Sequence, residues 1–205
     1  MSPTHTPRFP VQSSLRGVVI SGISLLLAGC ISLGGEAPEM LLTLTSSAAS
    51  PAGPGASGPK ENALLVEEPD APQQIAVTRI PVQVDDSSVA YLKDAVWVER
   101  PARLFRRLLA ETVRSKSGRL VMERDDPTIV PAEVLSGTLR EFGYDAIGGN
   151  VTVTFDGIRT LADGTLETRR FTSRVADVEA EGVPVGAALN TAANDVAEQV
   201  ADWLI

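Results

Sequence analysis

The chain has one cysteine, Cys30, and it closes the run Leu27-Ala28-Gly29-Cys30 directly after an apolar stretch. Residues 1–17 contain Arg8 and Arg16 and no acidic residue, and Val18 to Leu27 supplies an apolar core of ten positions. That length suits the apolar region of a secretory signal, about 7–15 residues. It falls well short of the roughly 20 apolar residues that a membrane-spanning helix needs. The segment therefore reads as a removable leader. Ala28 and Gly29 are small enough for a signal peptidase cleft, and a thiol is the most nucleophilic side chain for taking up a diacylglyceryl group. The motif is that of a bacterial lipobox, with Leu27, Ala28 and Gly29 before the acylated Cys30. Several acyl chains at about 0.8 kcal/mol per buried methylene make a stable anchor, whereas one chain is marginal. Ile31 and Ser32 follow the cysteine; neither is the aspartate associated with inner-membrane retention in enteric bacteria, so the expected site is the periplasmic face of the outer membrane.

Cleavage before Cys30 would leave 176 residues and remove both leader arginines together with His5, the only histidine. Sixteen basic residues then face twenty-six acidic ones, a net charge of −10. A chain this acidic repels nucleic acid and anionic head groups, so neither is an expected partner. With no histidine and no free thiol, histidine- or cysteine-ligated zinc sites, Ser-His-Asp triads and Cys-His dyads are excluded. A lone acylated cysteine also forms no intramolecular disulfide, so stability has to come from a packed core.

The expected organisation is a signal peptide over 1–29, a lipidated segment over 30–61 and a folded domain over 62–205. Ser46 to Pro59 reads SSAASPAGPGASGP, which buries almost nothing to offset ordering entropy. It is expected to be a flexible tether or loop with a span of about 20 Å. Ahead of it, within 40–44, Met40-Leu41-Leu42-Thr43-Leu44 is a candidate first strand. Further strands are expected at Ala63–Val66, Ile80–Val84, Val89–Leu92 and Leu120–Met122. A meander should follow: Ala132–Phe142, Val151–Ile158 and Leu166–Val175, with turns at Gly148-Gly149-Asn150 and Asp163-Gly164 and a bulge at Asp156-Gly157.

Two helices complete the pattern. One starts at Pro101, which suits a first helical turn, buries Leu104, Phe105, Leu108, Thr112 and Val113, and stops at Gly118. The other runs from about Val185 to Leu204, with Leu189, Ala192, Val196, Val200 and Trp203 inward and Asn190, Asn194, Asp195, Glu198 and Asp202 wet. The order of strands, helix, strands and helix predicts an α/β (α+β) fold: one mixed, largely antiparallel sheet with two helices packed on it.

Glu99, Glu111, Glu123 and Asp125 surround the first helix and are candidates for a carboxylate pair in acid–base chemistry, although nothing in their spacing forces two together. Arg103, Arg106 and Arg107 cluster on that helix and are the candidate partner-docking residues. Trp97 and Trp203 read as core aromatics. Gly148-Gly149 lacks the strand-to-helix context of a phosphate loop. No catalytic, metal or cofactor residue is assigned.

Taken together, the lipobox, Gln74-Ile75-Ala76-Val77 to Val84, Ser88-Val89-Ala90-Tyr91-Leu92 and Ala95-Val96-Trp97-Val98-Glu99-Arg100-Pro101 leading into the first helix resemble the ABC-type transport auxiliary lipoprotein family. Leu135-Ser136-Gly137-Thr138-Leu139-Arg140-Glu141-Phe142 and the closing Ala188-Leu189-Asn190 to Trp203-Leu204 helix fit the same pattern. The resemblance implies a periplasm-facing, membrane-anchored scaffold rather than an enzyme. Its partners would be an ABC transporter and a mammalian-cell-entry-type protein that move phospholipid between inner and outer membranes. It also implies association with further copies of the chain. The residues alone leave open an unrelated outer-membrane assembly lipoprotein or a carboxylate-dependent periplasmic hydrolase.

Overall fold

A 13-residue strand, Glu133–Asp145, organises the sheet because it has neighbours along both sides. The computed structural model describes residues 41–48, 55–59, 62–123 and 130–205. In chain order these form β1 (Leu41–Leu42), β2 (Leu64–Val66), β3 (Arg79–Gln83), β4 (Val89–Trp97), α1 (Pro101–Ser117), β5 (Val121–Met122), β6 (Glu133–Asp145), β7 (Asn150–Leu161), β8 (Leu166–Val175) and α2 (Gly182–Leu204). On one side of β6 the chain meanders antiparallel through β7 and β8. On the other side two short strands lie end to end, both parallel to it. β2 pairs with Glu133–Leu135, β3 pairs with Tyr144 and Asp145, and Asp70 bridges to Thr138 between them. β5 extends β2, while β4 and then β1 extend β3.

The result is the expected α+β architecture, one mixed sheet of eight strands with two helices on it. The 166–175 strand falls at the expected residues. The closing helix begins a turn earlier than expected, at Gly182. In α1, Pro101 occupies the first turn, and Gly118 at φ 64° donates its N–H to the Arg114 carbonyl in a left-handed cap. The expected apolar face is buried: Leu104, Phe105, Leu108, Thr112 and Val113. Alanines 188, 192, 193, 197 and 201 of α2 are buried as well, and such small side chains allow close helix approach.

One expectation is corrected. Asp156 and Gly157 sit in regular register opposite Thr138 and Gly137; the irregularity lies on the partner strand, between Leu139 and Glu141. Arg140 is the extra residue there, and it flips the alternation, so Leu135 and Leu139 point inward before it and Phe142 and Tyr144 after it. The two glycines serve close approach instead. A Cβ on Gly137, whose φ is 149°, would lie 2.1 Å from the Asp156 carbonyl oxygen. A Cβ on Gly157 would meet Phe155, Phe171 and Trp203 at 3.1, 3.2 and 3.4 Å. The space they leave admits an aromatic chain through the core: Phe105 on Phe155, Phe155 on Phe171 and Phe171 on Trp203, with centroids 5.5, 6.4 and 5.5 Å apart. Such pairs contribute about 0.5–1.5 kcal/mol each beyond area burial.

Candidate functional site

Residues 41–48 run along the last helix, and side chains far along the chain hold them there. Leu42 and Leu44 alternate onto the core, as a strand with one buried face requires. The backbone groups of Thr45 and Ser47 then lack a strand partner. Along α2 a stripe of one residue per turn, Gly186, Asn190, Asn194 and Glu198, meets that need. Gly186 leaves room for Leu42, since a Cβ there would approach both methyls to 2.9 Å. Asn190 accepts the Thr45 N–H at 2.8 Å, and Asn194 accepts the Ser47 N–H at 2.7 Å. The Asn194 amide nitrogen donates back to the Thr45 carbonyl at 2.9 Å. The Ser47 hydroxyl donates to Glu198 Oε1 at 3.3 Å, and the Ser46 hydroxyl lies 3.4 Å from that of Thr112 on α1. Four helical residues rise about 6 Å and two extended residues about 6.6 Å, so Asn190 and Asn194 match Thr45 and Ser47.

This stripe was missed at the sequence level, where Asn190 and Asn194 belong to the wet face. Asn194 is buried and Asn190 half-buried. A carboxamide carries both a donor and an acceptor, which is what an edge backbone with N–H and C=O exposed demands. The Asn-x-x-x-Asn spacing was the available signal. Ser46, Ser47 and Ala48, at the head of the Ser/Ala/Gly/Pro segment, are part of this strap, and the compact unit begins before residue 62.

The three docking candidates on α1 are divided by their contacts. Arg103 and Arg107 share Glu99, at 3.5 Å and 2.5 Å, and Arg100 pairs with Glu68 at 3.4 Å. Arg103 and Arg107 are about half exposed, whereas Arg106 has a buried Nε that makes no hydrogen bond. Of the carboxylates, Glu111 and Glu123 are drawn to one guanidinium: Arg114 reaches them at 2.7 and 3.2 Å. A cation between them is a structural clamp, not the cleft-facing pair that acid–base chemistry uses. Asp125, and the lipobox residues Leu27, Ala28, Gly29 and Cys30, lie outside the described residues.

A surface depression of about 440 Å³ opens between the β3–β4 turn and the β6–β7 turn, lined by Gln83, Asp85, Asp145, Thr152 and Arg174 among others. Its carboxylates serve the turns. Backbone N–H groups of Gly148 and Ile147 lower the pKa of Asp145, and that of Ser87 lowers the pKa of Asp85. Among the described residues no group of three or more His, Cys, Asp or Glu side chains is placed to hold a metal ion, and no helix is long and apolar enough to cross a membrane.

A mixed sheet carrying two helices, with the 41–48 strap laid along them, defines a small α+β domain. A sequence model of the ABC-type transport auxiliary lipoprotein component family matches residues 42–201, and the chain belongs to that family. The membership suggests a membrane-associated, periplasm-facing protein, an association with an ABC transport system and a non-catalytic role. No curated protein sequence matches the chain. Among solved structures, protein XCC0632 from Xanthomonas campestris is similar in fold, with TM-score 0.67 at 19% identity over 80% of this chain and 94% of that one. The crystal structure of an uncharacterized protein matches with TM-score 0.62 at 16% identity, over 71% of this chain and 93% of that one.

Proposed function

We propose that this chain is a non-catalytic scaffold subunit of an ABC-type system that moves phospholipid between the inner and outer membranes. In this reading Cys30 carries the lipid anchor in the outer membrane. The folded domain faces the periplasm and docks a mammalian-cell-entry-type partner, the transporter, or another copy of itself. The observation that carries the reading is the family match across 42–201, in a chain that has the run Leu27-Ala28-Gly29-Cys30 after its apolar stretch.

Affinity purification of the native complex from detergent-solubilised membranes tests the proposal. Recovery of an ATPase, a permease and a mammalian-cell-entry-type protein with the wild-type chain is the expected result, and their absence would overturn it. Metabolic labelling with a fatty acid should mark the wild-type chain and not Cys30→Ala. Fractionation should find the label in the outer membrane; label in inner-membrane fractions would reverse that part.

A further inference from the structure

The strap changes which part of the chain can separate the domain from its anchor. We propose that residues 41–48 are a latch that limits how far the domain can stand from the membrane, so that the residues before Leu41, and not the Ser/Ala/Gly/Pro segment, set the reach of the tether. This rests on the reading of Cys30 as the acylated residue. The segment has both ends pinned. On one side Thr45 and Ser47 are bound by Asn190 and Asn194. On the other, Leu64 pairs in the sheet with Val121 and Glu133, and Ala63 accepts the Ala132 N–H at 3.1 Å. A pull applied at Cys30 therefore reaches the strap before the segment. β1 adds resistance through its pairing with Val96 and Trp97 and the Val98 N–H to Leu42 carbonyl bond of 2.9 Å.

The geometry gives two different limits on reach. With the strap seated, Leu41 is eleven residues on from Cys30, and a chain of that length spans at most about 40 Å. With the strap released, the first pinned residue is near Ala63, thirty-three residues on, and the limit rises to about 120 Å. Opening the latch would thus raise the maximum height at which the lipoprotein can work above the bilayer. The interactions that hold it are the short β1–β4 pairing, a few side-chain hydrogen bonds, one glycine seat and two leucines, and a docking partner could compete for those on α2.

Energy transfer from the domain to the bilayer reads this directly. The full lipidated chain is placed in phosphatidylcholine vesicles bearing acceptor dye on the head groups. A donor is attached at Asp163→Cys in the exposed β7–β8 turn, the only free thiol once Cys30 is acylated. Four further chains are compared: a thirty-residue Gly/Ser insertion after Gly55, Asn190→Ala with Asn194→Ala, both changes together, and Gly186→Val, which evicts Leu42 by bulk rather than by loss of hydrogen bonds. The expected result is unchanged transfer for the insertion alone, at least a twofold loss on strap release by either route, and a further loss when insertion and release are combined. Reduced transfer from the insertion alone would overturn the proposal. So would unchanged transfer in both release variants when amide exchange shows Thr45, Ser47 and the Val98 amide bonded to Leu42 all opened, or fast exchange of the Thr45 and Ser47 amides in the wild-type chain. An unchanged thermal midpoint of the core separates release from unfolding. Mass spectrometry showing no lipid on Cys30 would instead sink the anchor reading, and the latch with it.

Discussion

Arg170 grips Asp156 across neighbouring strands with two parallel bonds, Nε to Oδ1 at 2.6 Å and Nη2 to Oδ2 at 2.8 Å, while Arg140 approaches the same carboxylate at 2.8 Å. The side-chain bond from Arg170 is the leading reason that the Asp156 pKa falls from 3.8 to about 2, with Arg140 adding to it. A carboxyl whose pKa is depressed by folding contributes stability above its unfolded value and loses it as the pH falls toward the folded one. The contribution should be complete above pH 3.8 and gone near pH 2. Both arginines are more than half exposed, so solvent screening limits the effect to about 1 kcal/mol. Asp156→Asn should therefore lose about 1 kcal/mol at pH 7 in urea unfolding and show a flatter stability profile between pH 4 and 2. An Asn variant with the wild-type profile would exclude this pair as a source of acid sensitivity.

A second ion cluster is buried and has more at stake. Glu133, whose side chain is 6% exposed, receives Arg119 at 2.7 Å and Arg159 on its other oxygen. Each arginine also reaches the end of α2, Arg119 to the Leu204 carbonyl at 3.3 Å and Arg159 to the Trp203 carbonyl at 3.4 Å. The triad thereby ties the first residue of β6 to helix carbonyls that have no partner within the helix. Removing the carboxylate strands two partly buried cations. Glu133→Ala should cost about 3 kcal/mol, and Glu133→Gln less because an acceptor remains. Denaturant midpoints measure the cost. A loss below about 1 kcal/mol for the alanine variant would mean that the arginines find other partners.

Glycines 118 and 137 separate two kinds of requirement. Gly118 caps α1 at φ 64° in open space, so Gly118→Ala should cost only the left-handed penalty, about 1 kcal/mol. Gly137 combines a positive φ with a carbonyl 2.1 Å from any Cβ, and Gly137→Ala must move the β6–β7 ladder itself. Its cost should exceed 3 kcal/mol. Thermal unfolding of the two variants side by side would test the ranking, and equal losses would contradict the close-approach argument.

The contrast between these glycines shows what sequence pattern carries. Periodicity and turn chemistry are local, so α1 with its Pro101 start and Gly118 stop, the 166–175 strand and the Gly149 and Gly164 turns were legible. The same holds for the fold class, since strand and helix order limits how apolar faces can be covered. The bulge at Arg140 was not legible. It shows only in the pairing of β6 with β7, which is set by register rather than by either strand alone. The parallel docking of β2 and β3 along one side of β6 is non-local in the same sense. The strap was hidden for a different reason: Asn190 and Asn194 are polar, and an amphipathic reading assigns polar residues to water, although here they solvate a backbone. For the arginine cluster the residue types were visible and the pairing with Glu99 was not.

That pairing shapes the test of α1 as a docking element. Arg103 and Arg107 lie four residues apart on one exposed face, and each spends part of its charge on Glu99. Exposed pairs of this kind contribute about 0–1 kcal/mol, so Arg103→Glu with Arg107→Glu should leave the thermal midpoint within a few degrees while placing three carboxylates where a partner expects cations. Partner capture from membranes, and resistance of cells to detergent, should both fall. Arg106 belongs in a separate variant: its Nε is buried without a hydrogen bond, and Arg106→Glu should lower the midpoint through desolvation of the new carboxylate, whatever it does to docking. If the Arg103/Arg107 double variant captured partners as fully as wild type, α1 would be a scaffold helix, and docking would have to use another face of the domain.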